Sequence, residues 1–391
     1  MNAKDISYLL TLRYVPKPTL DGVPEFSEVN MTMEHAVSET KRILLAELKK
    51  YEGNHGVGII LSGGVDSTTI LAMIRECNPQ TRLVTYSMGF NQDSDELDDS
   101  GIVAEHFETE HHEIMVEDFL RELPSIIYKT KMPKWNLYPY YLFKACSRLK
   151  IKTWLSGEGG DELFGGYTFR YEEFLKNNPQ TPLEKAKLYL QTNIRDWVPD
   201  QEQLFGKKVR FDWNDIYGLF LPYFSNGHST FNQIFLADYC GKLMNEFTVI
   251  DETCAKANNL DIASPVLSRE MIQFASKIPH NLKYNARTGL GKLVLREIIR
   301  RKGIKDRIIS KTKKGFGPNT VEYWKNYGKE RAVSLLSDSV LVKKGLLSSK
   351  WINSHMNTDD VRYVNKYLGI IALEVYYRLF VTKDMTKDEE L

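Results

Sequence analysis

The sequence predicts an α/β fold with a doubly wound parallel sheet in its first part and a mostly helical C-terminal portion. Two observations lead to this prediction. Short apolar runs typical of buried strands alternate with segments of helical spacing as far as about residue 170, and the pattern is helical after that point. Because alternating strands and helices form parallel sheets, we expect ligands to bind at the carboxyl ends of the strands.

The elements follow from local pattern. Residues 1–30 are expected to be a loop-like lead-in segment because prolines interrupt them, and apolar residues at helical spacing predict a helix over 31–51. The β-branched residues Val57, Ile59 and Ile60 predict the first strand. The next elements are expected to be strand 83–88, helix 100–107, strand 111–116, helices 117–130 and 138–149, and strand 152–155. Later helices are expected over 231–247, 268–277 and 292–301.

The turn after the first strand reads Ser-Gly-Gly-Val-Asp-Ser, residues 62–67, and leads directly into a helix. Gly63 and Gly64 carry no Cβ, so their N–H groups can surround an anion, and the helix N-terminus adds its positive field. Ser62 and Ser67 add hydroxyl donors. Asp66 would repel phosphate unless a cation lies between them, which points to a Mg²⁺-nucleotide site. The lysine of a Walker A motif is missing.

A second glycine-rich loop, residues 156–167, follows the fourth predicted strand and reads Ser-Gly-Glu-Gly-Gly-Asp-Glu-Leu-Phe-Gly-Gly-Tyr. Its three carboxylates, Glu158, Asp161 and Glu162, would repel one another without a cation. Asp161 and Asp66 make a plausible pair of Mg²⁺ ligands, to be completed by water and phosphate oxygens. Leu61, Met88 and Ser156 each stand at the end of a predicted strand, so three segments are expected to meet at one nucleotide.

Composition narrows the function classes. The chain has 52 basic and 51 acidic residues, so no charge excess suggests nucleic acid as a partner. Its four cysteines are widely spaced and are expected to be free buried thiols. No apolar run reaches membrane-spanning length and no signal peptide is recognisable, so we expect a cytoplasmic protein without a membrane partner.

With both loops considered, the chain resembles the synthetase domain of the glutamine-hydrolysing asparagine synthetases, in the ATP pyrophosphatase superfamily. The residues 61–67 and 156–167 carry the resemblance, which covers about residues 30–330. Weaker matches are residues 109–113, Gly291-Lys292-x-x-Leu295-Arg296 and Lys313-Lys314-Gly315-Phe316-Gly317. The resemblance implies an adenine nucleotide alpha hydrolase-like fold, with a pyrophosphate-loop core over 31–170 and a helical portion over 171–391 that completes the substrate site.

The resemblance also implies roles for individual residues. Leu61 and Met88 would hold adenosine through backbone contacts, and Asp66 and Asp161 would hold Mg²⁺. The residues implied in binding the phosphates, or in closing over the nucleotide, are Ser62, Gly63, Gly64, Asp66, Ser67, Ser156 and Gly157.

Two residues are implied in catalysis. Glu158 matches the position that forms and resolves the acyl-adenylate. Lys313 would neutralise charge on the phosphate, with Lys311 and Lys314 as competing candidates for this role. His111 and His112 are adjacent on a strand and point to opposite faces, so we interpret them as structural.

Two departures from the family pattern bear on the substrates. No glutaminase domain fits before residue 30, so we expect the synthetase half alone, using ammonia, an amine or a separate glutaminase subunit. The stretch 261–268 lacks the arginine that the family carries in its acceptor pocket. An acceptor other than aspartate therefore stays open.

The predicted function is an ATP-dependent amide ligase that forms AMP and pyrophosphate from a small-molecule carboxylate and ammonia or an amine. One alternative is amide formation on a secondary metabolite or on a peptide or protein side chain. The other is a non-catalytic nucleotide-binding subunit of a glutaminase–synthetase complex. The sequence leaves a homodimeric state open.

Overall fold

A five-stranded sheet forms the centre of the computed structural model, which describes residues 1–17, 23–51, 56–90, 95–310 and 317–391. Its strands, all parallel and in the order β3-β2-β1-β4-β5, are β1 (Val57–Ile60), β2 (Leu83–Gly89), β3 (Glu110–Met115), β4 (Thr153–Leu155) and β5 (Asp261–Ala263). The predicted α/β class with a parallel sheet is confirmed.

Both faces of the sheet are buried, as a doubly wound fold requires. The buried apolar side chains form two hydrophobic cores, one on each face of the sheet. Successive residues of a strand contribute to different cores, so Leu83 packs into one core and Val84 into the other. Trp154 lies in the same core as Val84, and Leu155 lies in the core on the opposite face. The apolar runs that predicted β1, β2 and β4 are therefore nearly continuous, because these three inner strands are covered on both sides.

Gly58 and Trp154 pair across β1 and β4. A Cβ atom built on Gly58 would lie 2.6 Å from the Trp154 ring, so the buried indole occupies the space that a side chain on β1 would need. The position accepts only glycine in this arrangement.

Helices surround the sheet and then make up most of the chain. The helices as far as the second glycine-rich loop are α1 (Ala3–Leu12), α2 (Met33–Leu48), α3 (Val65–Cys77), α4 (Asp95–His106), α5 (Leu123–Thr130), α6 (Pro139–Cys146) and α7 (Gly160–Phe164). The next are α8 (Thr168–Asn177), α9 (Pro182–Gln191), α10 (Gln201–Leu204), α11 (Trp213–Gly218), α12 (Leu221–Phe224), α13 (Thr230–Asp238), α14 (Thr248–Lys256), α15 (Arg269–Ala275) and α16 (His280–Lys283).

After a two-stranded antiparallel hairpin, β6 (Tyr284–Asn285) and β7 (Leu290–Gly291), the chain is helical to near its end. These helices are α17 (Leu293–Arg300), α18 (Asp306–Ile309), α19 (Thr320–Tyr323), α20 (Lys329–Leu336), α21 (Val340–Lys343), α22 (Ser349–His355) and α23 (Val361–Tyr377). Wider π-helical turns over Tyr239–Phe247 connect α13 to α14. The mostly helical C-terminal portion is confirmed.

The expectation that residues 1–30 form a loop is wrong for their first part, which forms α1. Asn2 and Asp5 make a capping box, in which each side chain accepts a hydrogen bond from the other residue's backbone N–H, at 2.8 and 3.0 Å. Ile6 and Leu10 bury the apolar face of α1, which packs against α23. The prolines that predicted a loop all lie after α1, at positions 16, 18 and 24.

Three further expectations need correction. The helix expected over 117–130 begins only at Leu123, where Pro124 occupies its first turn; Asp118 instead binds Arg331 and the Tyr323 hydroxyl. The edge strand β5 was not predicted as a strand. None of the four cysteines forms a disulfide. The expectation of buried thiols is confirmed for Cys146, Cys240 and Cys254, and it is wrong for Cys77, which is partly exposed. Within the described ranges, no helix combines the length and apolar character needed to cross a membrane.

Candidate active site

The first glycine-rich loop connects β1 to α3, as the sequence predicts. Its two serine side chains face each other, with 3.1 Å between their hydroxyl oxygens, and the Ser62 N–H donates to Ser67 Oγ at 3.2 Å. Gly64 is the N-cap of α3, and a glycine has no side chain with which to accept the first N–H groups of this helix. An uncapped N-terminus beside two hydroxyl groups is suited to an anion.

The second loop lies directly against the first. A Cβ atom on Gly157 would be 2.6 Å from the backbone nitrogen of Ser67 and 2.7 Å from Asp66. The Ser156 N–H donates to the Ala263 carbonyl at 2.9 Å, and the Ser264 hydroxyl donates to the Glu158 carbonyl at 2.6 Å. The unpredicted strand β5 therefore holds the second loop in place from its other side.

Lys292 joins the two acidic residues that the sequence singled out. Its Nζ lies 2.7 Å from Asp161 Oδ1 and is also ion-paired with Asp66 Oδ2. The Lys292 side chain is only 5% exposed, so this is a buried pairing of one cation with two carboxylates. Lys292 precedes α17 in a left-handed conformation, with φ of 58°, and its N–H donates to the Phe164 carbonyl at 3.1 Å.

Glu162, the third acidic residue of the second loop, is buried. The Tyr167 hydroxyl donates to Glu162 Oε1 at 2.6 Å. Burial raises the pKa of the Glu162 carboxyl well above its usual range, and the nearby charges of Glu158 and Asp161 raise it further. Glu162 therefore retains its proton more readily than an exposed glutamate does, which reduces repulsion within the loop.

The two loops open onto a cavity of about 320 Å³, a size that suits a small ligand. The predicted site residues that line it are Leu61, Ser62, Asp66, Ser67, Met88, Ser156, Gly157, Glu158 and Asp161. Gly63 and Gly64 lie in the turn between Ser62 and the start of α3. Lys313, Lys311 and Lys314 lie outside the described residues, so the role of Lys313 stays a prediction.

Lys292 is the site residue that sequence reasoning missed. The sequence carries a signal for it, because Lys292 belongs to the motif Gly291-Lys292-x-x-Leu295-Arg296, one of the weaker matches to the family pattern. Arg296, in the first turns of α17, holds the backbone next to Lys292, because its Nε donates a hydrogen bond to the Gly291 carbonyl at 2.6 Å. Burial lowers the pKa of the Arg296 guanidinium.

Among the described residues, no group of three or more His, Cys, Asp and Glu side chains is arranged to hold a metal ion. His111 and His112 make separate contacts, with Thr85 and Glu113 for the first and with Glu110 for the second. Asp66 and Asp161 offer hard oxygen ligands, which Mg²⁺ prefers, and they fit a metal that takes its other ligands from water and phosphate.

The chain was compared with known proteins. Residues 49–376 match the family model described as asparagine synthase. The chain is 27% identical to asparagine synthetase [glutamine-hydrolyzing] 1 of Bacillus subtilis over 320 residues, which is 72% of this chain and 49% of that protein. It is 25% identical to a putative asparagine synthetase of Mycobacterium bovis over 370 residues, 84% of this chain and 54% of that protein.

A shorter alignment, to a putative asparagine synthetase of Methanocaldococcus jannaschii, reaches 35% identity over 136 residues, 34% of this chain and 26% of that protein. The longer alignments span about half the length of the curated relatives. The family model, by contrast, covers most of the present chain, including both loops and Lys292. This chain belongs to the asparagine synthase family.

Proposed function

We propose that this protein is an ATP-dependent amide ligase that activates a carboxylate as its adenylate, releases pyrophosphate, and transfers the acyl group to ammonia or an amine. The observation that carries the proposal is the ion pairing of Lys292 with Asp66 and Asp161, two carboxylates that line a cavity together with Glu158. Simple nucleotide binding needs no further carboxylate in such a cavity. The family membership and the curated relatives support the same reaction class.

In the first step, an oxygen of the acceptor carboxylate would attack the α-phosphorus of ATP. The bond from this phosphorus to the bridging oxygen breaks, and pyrophosphate leaves with the electron pair. The Ser62 and Ser67 hydroxyls and the N-terminus of α3 are suited to bind the departing phosphates. The Lys292 ammonium is suited to neutralise the charge that develops on their oxygens.

Asp66 and Asp161 would hold Mg²⁺, which supplies charge neutralisation at phosphate oxygens when it is bound. The two carboxylates are already held together by Lys292, so the chain itself keeps them close.

In the second step, the lone pair of the amine would attack the acyl carbon, and AMP would leave with the electrons of the carbon–oxygen bond. The nitrogen must lose a proton. We propose that Glu158, whose backbone is held by Ser156 and Ser264, accepts this proton in the cavity.

The experiment is acid-dependent exchange of labelled pyrophosphate into Mg²⁺-ATP, measured over a panel of carboxylic acids. A ligase of this type incorporates label only when its cognate acid is present. Adding ammonium should then convert that acid to its amide. ATP binding without exchange for every acid tested would contradict the proposal and favour a non-catalytic nucleotide-binding role.

A further inference from the structure

The first glycine-rich loop rests on α4. Gly63 has a φ of 67°, and a Cβ atom built on it would lie 2.6 Å from the Ser100 backbone nitrogen and 2.7 Å from the Asp99 Cβ. Asp99 and Ser100 both belong to α4. A shift of this helix therefore moves the turn that carries the Ser62 and Ser67 hydroxyls.

The same part of α4 is ion-paired with α18. Arg307 Nε lies 2.7 Å from Asp99 Oδ1, and the Asp99 side chain is 1% exposed whereas that of Arg307 is 52% exposed. At the other end of α4, His106 Nε2 lies 3.0 Å from the carbonyl oxygen of Lys302, which precedes α18. Two contacts, about two helical turns apart on α4, therefore hold the segment that contains α18 beside it.

The short helix α18 is also connected to the turn that carries Lys292. The Ile309 carbonyl in α18 accepts a hydrogen bond from Arg296 Nη1, and Arg296 Nε donates to the Gly291 carbonyl at 2.6 Å. Gly291 directly precedes Lys292 in the sequence. Two residues of one helical turn, Arg307 and Ile309, therefore connect α18 to two different parts of the candidate site.

These contacts form a closed ring. It runs from the first loop to α4, from α4 to α18, from α18 to the turn before α17, and from Lys292 back to Asp66 in the first loop. A lysine side chain is a flexible four-carbon stem, so an ion pair by itself leaves the position of the ammonium adjustable. The other contacts in the ring fix the backbone from which that side chain extends.

We propose that Arg307 is a positioning residue for the pyrophosphate-releasing step: its ion pair with Asp99 keeps the backbone of Lys292 at the distance from the first loop at which the ammonium reaches the leaving phosphates. The inference rests on the proposed ligase function. Arg307 is not among the described residues that line the cavity, so it acts through α18 and not by contact with the reactants. A misplacement of about 1 Å at a reacting centre can lower a rate about 10²-fold.

The test is Arg307→Gln, assayed with the acid that supports the fastest pyrophosphate exchange in the wild type. We expect kcat for exchange to fall by about 10- to 100-fold and KM for the acid to stay unchanged. Binding of Mg²⁺-ATP, measured by isothermal titration, should stay close to the wild-type value, because the first loop keeps its hydroxyl and N–H groups. Arg121→Gln is the matched control: Arg121 Nε lies 2.8 Å from Glu390, its side chain is 61% exposed, and exchange should be unchanged.

The second step separates positioning from a general loss of structure. The acyl-adenylate of the same acid, prepared chemically, has no pyrophosphate to release. Arg307→Gln should therefore convert it to the amide at the wild-type rate, whereas a variant with a distorted site would be slow in both steps. Arg307→Lys keeps the positive charge and should recover part of the exchange rate.

The partner residue gives an independent measurement. Asp99→Asn keeps the size of the side chain and removes its charge, so it should lower kcat for exchange in the same way. The double variant Asp99→Asn/Arg307→Gln should be no slower than the slower single variant, because the same ion pair is lost in all three. If Arg307→Gln does not fold, Asp99→Asn and Arg307→Lys provide the test.

The outcomes are distinguishable. A wild type that shows no exchange with any acid would overturn the ligase function, and the inference with it. Exchange by the wild type together with an unchanged kcat in the Arg307 and Asp99 variants would overturn the inference and leave the ligase function standing. Equal slowing of both steps, additive losses in the double variant, or a rise in KM for the acid alone would also overturn it.

Discussion

Gly157 lies so close to Ser67 that a methyl group on the glycine would be 2.6 Å from the serine's backbone nitrogen. This contact joins two loops that are 90 residues apart in the sequence, since each supplies one of the two residues. The first and second glycine-rich loops therefore form one surface, and a displacement of one requires a displacement of the other.

Gly157→Ala should separate the two loops. The added methyl cannot be accommodated without a backbone shift, so we expect pyrophosphate exchange to be lost and the free energy of unfolding to fall by about 1–3 kcal/mol. Gly101→Ala is the control, because a Cβ at Gly101 in α4 meets no atom within 4 Å. It should leave activity unchanged and raise stability slightly. Full exchange activity in Gly157→Ala would contradict the close contact of the loops.

Glu158→Gln should retain Mg²⁺-ATP binding and lose amide formation by about 10²- to 10⁴-fold, because the amide side chain cannot accept a proton. Isothermal titration measures the binding, and amide product measures the turnover. Glu105→Gln, at an exposed position on α4, should behave as wild type. Equal turnover in the two variants would remove Glu158 from the mechanism.

Lys292→Met should abolish exchange and weaken the fold. It leaves the carboxylates of Asp66 and Asp161 facing each other in a buried place, so a loss of about 3–5 kcal/mol is expected from chemical unfolding. If the two carboxylates can hold a divalent cation, Mg²⁺ should raise the Tm of this variant more than that of the wild type.

The control for Lys292→Met is Lys302→Met, which removes a cation 2.8 Å from Glu76 at a position that is 28% exposed. A pair that is in contact with water should contribute less than about 1 kcal/mol. Equal unfolding curves for the two variants would show that the pairing of Lys292 with the acids is weak.

Lys283→Met should stabilise the protein at neutral pH. The Lys283 ammonium is buried and has no hydrogen-bond partner among the described residues, with the Phe235 ring at 4.6 Å. Burial lowers its pKa from 10.5 to about 7. An apolar side chain of similar length avoids the cost of burying the charge, and we expect a gain of about 1–4 kcal/mol.

The pH dependence of the Lys283→Met gain gives a sharper test. Between pH 7 and 10.5 the unfolded chain binds a proton at Lys283 that the folded chain does not, so raising the pH through this window stabilises the wild type. The advantage of the variant should therefore be largest near pH 6.5 and should shrink towards pH 9.5. A gain that does not vary with pH would mean that the folded lysine titrates normally.

Most of the sheet could be predicted because β1, β2 and β4 are largely apolar runs that end at small residues or a turn. The edge strand β5 could not, because it has three residues and begins with an aspartate, and its pairing with β4 is a long-range contact. The start of α1 could have been predicted from the capping box at Asn2 and Asp5. Its packing could not, because the apolar face of α1 is buried against α23, near the other end of the chain.

For the candidate site, sequence placed the two loops together because parallel strands bring their carboxyl ends to one edge. The position of Lys292 was not predictable in the same way. It is 226 residues from Asp66, and it comes to the site through a left-handed backbone turn before α17. Arg13 also lines the cavity, although it belongs to residues 1–30, which were expected to form only a loop-like lead-in segment.

The indole of Trp154 has a consequence for the candidate site that extends beyond the interior of the sheet. The indole occupies the space that a side chain on Gly58 would need. A shift of β4 along β1 by one residue would place the indole against a residue that has a side chain, so the register of the two strands is fixed. Three residues beyond Gly58 is Leu61, and two beyond Trp154 is Ser156, both at the cavity. This one aromatic ring therefore acts as a spacer that sets the relative height of the two glycine-rich loops above the sheet.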